Sequence, residues 1–464
     1  MDPHKVIPIP EEIAELSGLP AYDIFTKYLT PEIITFITAQ TCQYAQRDRN
    51  DQTFNVSEGE IAKFLGIILA SGYHHLPTED SYWSTSEDLD APIFRKIMSR
   101  ERFRSIKKYL HIADNANLAK SKVAKVLPLF NMLKERCQQF GVFDELLSVD
   151  ESMVPYRGLH SAKQYMRNKP VKFGYKVWML CSARGYPYNF ELYCGKDDKR
   201  KTPLGTHVVN TMLEPISHVD SHVVFFDNFF TSHKLLSELA DKNIRACGTL
   251  RDGRSGRCPL ESIKSIEKKP RGSYDYKTDG TVLCVRWNDN KAVTVATNYY
   301  DVNPLHKVER WIKGSGKKSI SQPHPIKMYN SGMGGVDTCD HLLSSYRPRF
   351  RAKKWWWNLF THALNLSVVA AYKCYSLANP NQKMSHLQFR RDVTRTLLSR
   401  QIDRTRMGGP SCAPASLVRY DGINHFLESC TQGRCVKCQK NTRLSCVKCN
   451  KRLHRACSDL YHKQ

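Results

Sequence analysis

The chain is short of acid. Its 464 residues carry 45 Asp and Glu against 70 Lys and Arg, a formal net charge of +25 with a pI near 9.4. A surface this cationic attracts polyanions, of which nucleic acid is the commonest and an anionic membrane face the rival. No uninterrupted apolar run approaches the ~18 residues of a spanning helix; FLGIILASG and LSVVAA have the length of buried helix pieces. The opening MDPHKVIPIPEEIAELSG lacks the continuous apolar stretch of a secretory signal. Internal repeats and long low-complexity runs are missing too. So is a disulfide framework: of 16 cysteines, those from Cys42 to Cys374 are scattered singly, while seven crowd between Cys412 and Cys457. In an intracellular protein a cysteine-dense end suggests metal binding rather than cross-links. What is present in quantity is core material, 41% hydrophobic and 10% aromatic residues, which excludes disorder as the dominant state. The length allows several structural units.

Apolar spacing is helical through PEIITFITAQTCQYAQR, SEGEIAKFLGIILAS and FRKIMSRERFRSIKKYLHIAD, with Ser57 and Glu60 placed for a capping box. Residues 1–135 therefore read as a helical region. Near residue 140 the texture changes. ELLSVDESMVPY, GYKVWMLCSARG and PYNFELYCG are strand-like; THVVNTMLEPI is helical, HVVFFDNFFTS a strand, SHKLLSELADKN a helix and NIRACGTLR a strand. Three consecutive strands suit an antiparallel meander, with later strands added through helical crossovers. This is the element order of a ribonuclease-H-like core, so the fold class expected is mixed α/β. Residues 136–251 hold its first part, 252–325 a β-rich insertion with strands GTVLCVRW and KAVTVATNYY, and 326–375 its last part. The stretch RPRFRAKKWWWNLFTHALNLSVVAAYKCY is expected to be helical, basic at its start. Residues 376–424 form a basic helical segment and a linker, and 425–464 the cysteine-rich end.

Two aspartates interrupt apolar strands, Asp150 in LLSVDESMVPY and Asp227 in VVFFDNFFTS. A carboxylate among core residues is costly without a partner. If the two strands lie side by side the carboxylates face each other, and a Mg²⁺ or Mn²⁺ ion relieves their repulsion. Two metals held by carboxylates suit phosphodiester chemistry, one activating the nucleophile and one stabilising the leaving oxygen. A third acid is usual. Asp337 and Asp340 in GGVDTCDHLL share a helix face, and Gly334 and Gly335 would let backbone approach the site. Glu145 and Glu151 are rivals for Asp150, although Glu151 falls on the opposite face of a regular strand.

SVDESMVPYRG, VVFFDNFFTS and MGGVDTCDHLLSSY resemble the three catalytic blocks of piggyBac-type transposases. FLGIILASGYHHLPTEDSYWS, MSRERFRSIKKYLHIAD, KPVKFGYKVWMLC, GTLR and KKWWWNLF also fit, over roughly residues 15–464. The resemblance implies an enzyme that binds terminal inverted repeats, excises its element through hairpin intermediates and inserts it at TTAA. It implies Asp150, Asp227 and Asp337 as the catalytic triad and Asp340 as a further acid near the metals. Synapsis of two ends implies at least a homodimer, and the DNA substrate implies the nucleus. A domesticated DNA-binding or chromatin protein that kept the fold is the alternative. Members usually carry a long acidic N-terminal segment, whereas this chain begins almost at the helical region.

The C-terminal end holds two CxxC pairs, Cys435/Cys438 and Cys446/Cys449, followed by His454, Cys457 and His462. A CxxC turn puts two thiolates on one zinc ion and two further ligands complete the tetrahedron. Interleaved pairing, as in cross-brace fingers, would give Cys435, Cys438, His454 and Cys457 one zinc. Cys446, Cys449 and His462 would take the other, with His425 or Cys430 as fourth ligand; the family resemblance favours His425. It also implies that this finger reads terminal DNA, where Arg434, Lys437, Arg443 and Lys448 suit phosphate contact. Arg347, Arg349, Arg351, Lys353 and Lys354 beside Trp355, Trp356 and Trp357 pair phosphate ligands with an indole that can stack on an unpaired base. The resemblance points to Trp355 for that role and to Arg251, in GTLR, as a DNA contact near the active site. Arg390, Arg391, Arg395, Arg400, Arg404 and Arg406 are equally read as a solvated helix face or as a track for DNA backbone.

Overall fold

The computed structural model describes residues 9–399, apart from 168, 196–199, 313 and 315, and residues 425–462. These fall into two compact units, residues 9–399 and residues 425–462. Arg400, Arg404, Arg406 and the linker around Cys412 lie outside the described residues.

The first unit opens with helices. Glu58–Ala70 starts at the expected capping box: the Ser57 hydroxyl accepts from the Glu60 N–H at 3.2 Å, and the Ser57 N–H donates to Glu60 Oε2 at 3.1 Å. Arg102, on helix Arg100–Tyr109, adds a forked pair to the same carboxylate at 2.7 and 2.8 Å. Ile61, Phe64, Leu65, Ile67 and Ile68 are buried on every side of the capped helix, so it serves as core rather than surface.

The centre is a nine-stranded mixed sheet. Strands β1 (Leu146–Pro155), β3 (Phe173–Ser182) and β4 (Pro187–Leu192) form the antiparallel meander, with the two-residue β2 (Gln164–Tyr165) sharing the outer edge of β3 with β4. Helix Leu204–Leu213 leads to β5 (Val223–Phe226), which pairs parallel with β1, and helix His233–Asp241 leads to β6 (Arg245–Thr249), parallel with β5. This is the strand, strand, strand, helix, strand, helix, strand order that the sequence pattern gives. Beyond β6 the sheet continues. Strand β9 (Ala292–Thr297) pairs antiparallel with β6, β8 (Leu283–Asn288) with β9, and β7 (Tyr274–Thr278) with β8. The strands of the β-rich stretch thus extend the central sheet, and only the hairpin β10 (His306–Ile312) and β11 (Gly316–Gln322) forms a separate two-stranded sheet.

Helices Gly335–Ser345 and Trp357–Ala378 cover one face of β1. The basic run before the second of these is not helical, contrary to the sequence expectation: the helix starts only at Trp357. Pro348 has no N–H and disfavours helical backbone at Arg347. The run is also tied down elsewhere. The Lys354 ammonium donates to the carbonyls of Lys107 (2.9 Å) and Leu110 (2.7 Å), capping the end of helix Arg100–Tyr109, and Trp357 Nε1 donates to the Phe350 carbonyl at 2.7 Å.

The second unit is a three-stranded antiparallel sheet, β12 (Leu427–Arg434), β13 (Asn441–Cys446) and β14 (Lys451–Arg452), followed by helix Arg455–His462. Its buried cluster is Cys435, Cys446, Cys449, Leu453 and Tyr461. Cysteine makes up most of that core.

Candidate functional site

The parallel register of β1 and β5 runs from Leu146 opposite Val223 to Val149 opposite Phe226. One step further sets Asp150 beside Asp227. Both are only partly exposed. Asp227 Oδ1 accepts the N–H of Phe229 at 2.8 Å, and Asp150 Oδ1 that of Glu151 at 2.8 Å. Burial raises both carboxyls. Asp150 reaches about 8, with Glu151 and Asp227 adding to the rise and Lys169 opposing it. Asp227 is raised by burial and Glu151 against the pull of its Phe229 N–H bond, Lys169 and Arg251.

Ser148, Asp150 and Ser152 alternate with Val149 and Glu151 along β1 and so share a face. That face receives helix Gly335–Ser345. The Val336 N–H donates to the Ser148 hydroxyl at 3.2 Å, and the Ser152 hydroxyl donates to Asp340 Oδ1 at 2.5 Å. Asp340 is raised by burial, opposed by that Ser152 bond and by Arg347. Asp337, three residues earlier, is exposed. Of the two glycines before it, only Gly335 is needed for close approach: a Cβ there would stand 2.1 Å from the Ser182 carbonyl oxygen and 2.5 Å from Ser148 Oγ, whereas one at Gly334 would meet nothing within 4 Å. The serines were the sequence signal overlooked, since S-V-D-E-S places polar residues at period two in an otherwise apolar strand. Glu145 lies one step before β1, its carbonyl accepting the Val223 N–H at 2.8 Å. Glu151 is close enough to add to the rise of both Asp150 and Asp227, and it is matched by Lys169 Nζ at 3.1 Å and Lys176 Nζ at 3.7 Å. Neither lysine was singled out from sequence.

Arg251 is exposed and donates to Asn228 Oδ1 at 2.8 Å, next to Asp227. Arg349, Arg351 and Lys353 are exposed, while Arg347 is half-buried near Asp340. Lys354 is the exception among the expected phosphate ligands. Its donors are spent on backbone, and burial, with Arg49, Lys125 and Lys107 nearby, lowers it to about 7. Trp355 is half-buried and stacks on His160 with ring centroids 4.0 Å apart; Trp356 and Trp357 are core. Helix His386–Ser399 splits its arginines: Arg391 and Arg395 are exposed, but Arg390 is fully buried, neither solvated nor on a DNA-facing surface, with Nη1 donating to Asn365 Oδ1 at 2.6 Å. Asn365 in turn donates to the Leu343 carbonyl at 2.8 Å, at the end of the helix that bears Asp337 and Asp340.

In the second unit the interleaved sets come together. Cys435, Cys438, His454 and Cys457 have their ligand atoms all within 4.8 Å of one another, and so do His425, Cys446, Cys449 and His462. Cys430 is in neither set. Among the described residues these are the two groups that meet so closely; the aspartates of the first unit do not. The repeated turns CVKCQK and CVKCNK build the sets. Each donates an N–H to the first cysteine's carbonyl at 2.8 Å, from Gln439 and Asn450, both with positive φ. His454 turns Nδ1 toward Cys438 Sγ at 3.3 Å while Nε2 donates to the Asn441 carbonyl at 3.0 Å, the outer bond that fixes a ligand imidazole. Burial disfavours the Cys435 thiolate, but the N–H groups of Cys438, His454 and Lys437 outweigh it and hold this thiol at about 6. Arg434, Lys437 and Arg443 are exposed on this unit and Lys448 is half-buried.

Asp150 and Asp227 thus follow adjacent parallel strands, and Asp337 and Asp340 lie on the covering helix. A family model described as Transposase IS4 matches residues 20–372. The chain is 36% identical over 454 residues to human PiggyBac transposable element-derived protein 3, covering 95% of this chain and 76% of that protein. It is 32% identical over 461 residues to human PiggyBac transposable element-derived protein 2, covering 97% and 76%. The fold matches the piggyBac transposase in its synaptic complex with hairpin DNA, with a TM-score of 0.71 and 21% identity over 95% of this chain and 98% of that one. The chain belongs to the piggyBac-type transposase family. No helix among the described residues is long and apolar enough to cross a membrane.

Proposed function

We propose that the protein is a DNA transposase that cuts and rejoins phosphodiesters with divalent metal, moving an element between TTAA sites through hairpin ends. The observation that carries this reading is the parallel pairing of the strands that lead into Asp150 and Asp227, under a helix that carries Asp337 and whose Asp340 accepts from Ser152 on β1. The donor set fits a hard cation. It is all oxygen, and burial has raised Asp150, Asp227 and Asp340, so that a divalent ion would restore charges the site disfavours. Asp150, Asp227 and Asp337 would hold Mg²⁺ or Mn²⁺, with Asp340 alongside. A bound pair of ions supplies activation of the attacking water or 3′-hydroxyl and stabilisation of the leaving oxygen.

The chain's own residues supply position. Ser152 fixes the Asp340 carboxylate, Gly335 lets the helix settle on β1, and Arg251 presents its guanidinium beside Asp227 for a phosphate. Arg349, Arg351 and Lys353 extend the cationic surface, and Trp355 offers an indole to an unpaired base. The two Cys/His sets would hold two zinc ions in a finger that binds terminal DNA through Arg434, Lys437 and Arg443. The working form is a homodimer acting in the nucleus.

The test is excision in cells of a marker flanked by the element's own ends, wild type beside Asp150→Asn. Repair of the donor site to a single TTAA by wild type alone supports the reading. A folded protein that binds those ends and excises nothing would favour a domesticated DNA-binding protein instead.

A further inference from the structure

Glu151 already has a counter-ion without Lys169. The Lys176 ammonium lies 3.7 Å from its Oε2, buried within β3 and braced over the Trp178 ring at 3.8 Å and the Phe229 ring at 5.2 Å. This cation is fixed. A second one nevertheless reaches the same carboxylate: Lys169 Nζ stands 3.1 Å from Glu151 Oε1. Lys169 comes from the turn that joins β2 to β3 and is the more exposed of the two, its side chain 31% accessible against 9% for Lys176. Burial disfavours its charge, yet it is raised overall, by Asp150 first, then Glu151, and also by Asp337. Asp227 and Asp340 feel it too. A long, partly exposed side chain on a turn thus ends on Glu151, the residue whose N–H is held by Asp150, at the edge of the acids.

We infer that Lys169 is a substrate-binding residue of the cleavage step, whose ammonium balances the acids in the free protein and transfers to a non-bridging oxygen of the scissile phosphate when metal and DNA are bound. This rests on the metal-dependent reading above. A divalent ion seated among Asp150, Asp227 and Asp337 repels a like charge, while the phosphate arriving with it offers that charge a new anionic partner in the same place. Leaving Glu151 costs little because Lys176 remains. Lys169 forms no covalent bond and keeps its proton; it contributes a charge-assisted hydrogen bond to phosphate oxygens as their charge redistributes.

The experiment uses the full chain and two readouts. Mn²⁺ alone is titrated by calorimetry into wild type, Lys169→Gln, Lys169→Arg, Lys163→Gln and Asp150→Asn, and strand cleavage of duplex element ends is then timed at saturating Mn²⁺. Lys169→Gln is expected to bind Mn²⁺ about tenfold more tightly, having lost a competing cation, and to cleave about a hundredfold more slowly. Lys169→Arg should return both values toward wild type. Lys163, just before β2 with its ammonium on the Gly158 carbonyl at 2.8 Å, should change neither. Unaltered Mn²⁺ affinity in a folded Lys169→Gln protein, or slow cleavage that arginine does not recover, overturns the inference. If wild type and Asp150→Asn bind Mn²⁺ alike, the metal-site reading itself falls, and the Lys169 inference falls with it. That result differs from the failure of Lys169 alone, in which wild type still outbinds Asp150→Asn.

Discussion

The eight ligand atoms of the finger all come from between His425 and His462, and most of the buried cluster around them is cysteine. The acids of the first unit run from Asp150 to Asp340, and a nine-stranded sheet with a large apolar core holds them. In the finger the candidate ligands are most of the core, so binding metal there would be coupled to folding. In the first unit the fold comes first and buries carboxylates, and their raised pKa values record a burial cost that a cation would offset. On the proposed function, one region would need its metal to fold and the other to act.

The strongest way to break this contrast is chelation. Removing metal from the full chain should unfold residues 425–462 and leave residues 9–399 intact, because structural zinc supplies on the order of 10 kcal/mol to such modules. Hydrogen exchange, read separately over the two units, checks it; equal protection of the finger with and without chelator would refute the expectation. The reciprocal change is Asp227→Asn. It should cost strand cleavage about a thousandfold, the several kcal/mol of transition-state stabilisation that a metal ligand commands. The thermal midpoint of the first unit should not fall, and metal-free protein should if anything gain stability. Single-turnover cleavage and calorimetry on the same preparation separate the two effects.

The same contrast explains what could be read from sequence. CxxC turns are local, so the finger's ligand residues were legible, but which pair takes His454, Cys457 or His462, and whether His425 or Cys430 completes the set, depends on how the strands and the helix lie together. The side-by-side placement of the strands that lead into Asp150 and Asp227 was legible from the order of the elements. Other features depended on distant partners. Nothing local in GTVLCVRW or KAVTVATNYY says that these strands extend the central sheet through β6. Lys354 looks like any other lysine in RPRFRAKKWWW until the carbonyls of Lys107 and Leu110 are seen to take it. Arg390 sits among surface arginines in the sequence, and only the packing of its helix against Asn365 buries it. Pro348 was the local warning against a continuous helix there.

A smaller perturbation sharpens the claim that the first unit is organised without metal. Gly335→Ala puts a methyl 2.1 Å from the Ser182 carbonyl, so the helix bearing Asp337 and Asp340 must lift off β1. Overpacking of this kind costs about 3 kcal/mol, and denaturant unfolding of metal-free protein should show it. Gly334→Ala, with open space around it, should be close to neutral. Equal effects at the two glycines would mean that the close approach of helix and strand is not what the sequence preserves there.

The last test reads the carboxylate strain directly through pH. Asp150 has its folded pKa raised from 3.8 to about 8, so between these values the folded protein holds a proton that the unfolded chain releases. The associated stability is fully present below pH 3.8 and is lost as pH rises through about 8. Each pH unit inside that window withdraws up to about 1.4 kcal/mol. The groups facing Asp150 set how much is realised: Glu151 and Asp227 deepen the loss, and Lys169 offsets it. Asp150→Asn removes this residue's share of the slope, so the metal-free variant should be more stable than wild type by up to about 4 kcal/mol at pH 7, with the gap closing toward pH 4. Adding Mg²⁺ should narrow the gap at pH 7 from the other side, by stabilising only the chain that still has the carboxylate. Denaturant midpoints at the two pH values, with and without Mg²⁺, give all four quantities. A pH-independent difference would place the cost of Asp150 in packing rather than in its buried charge.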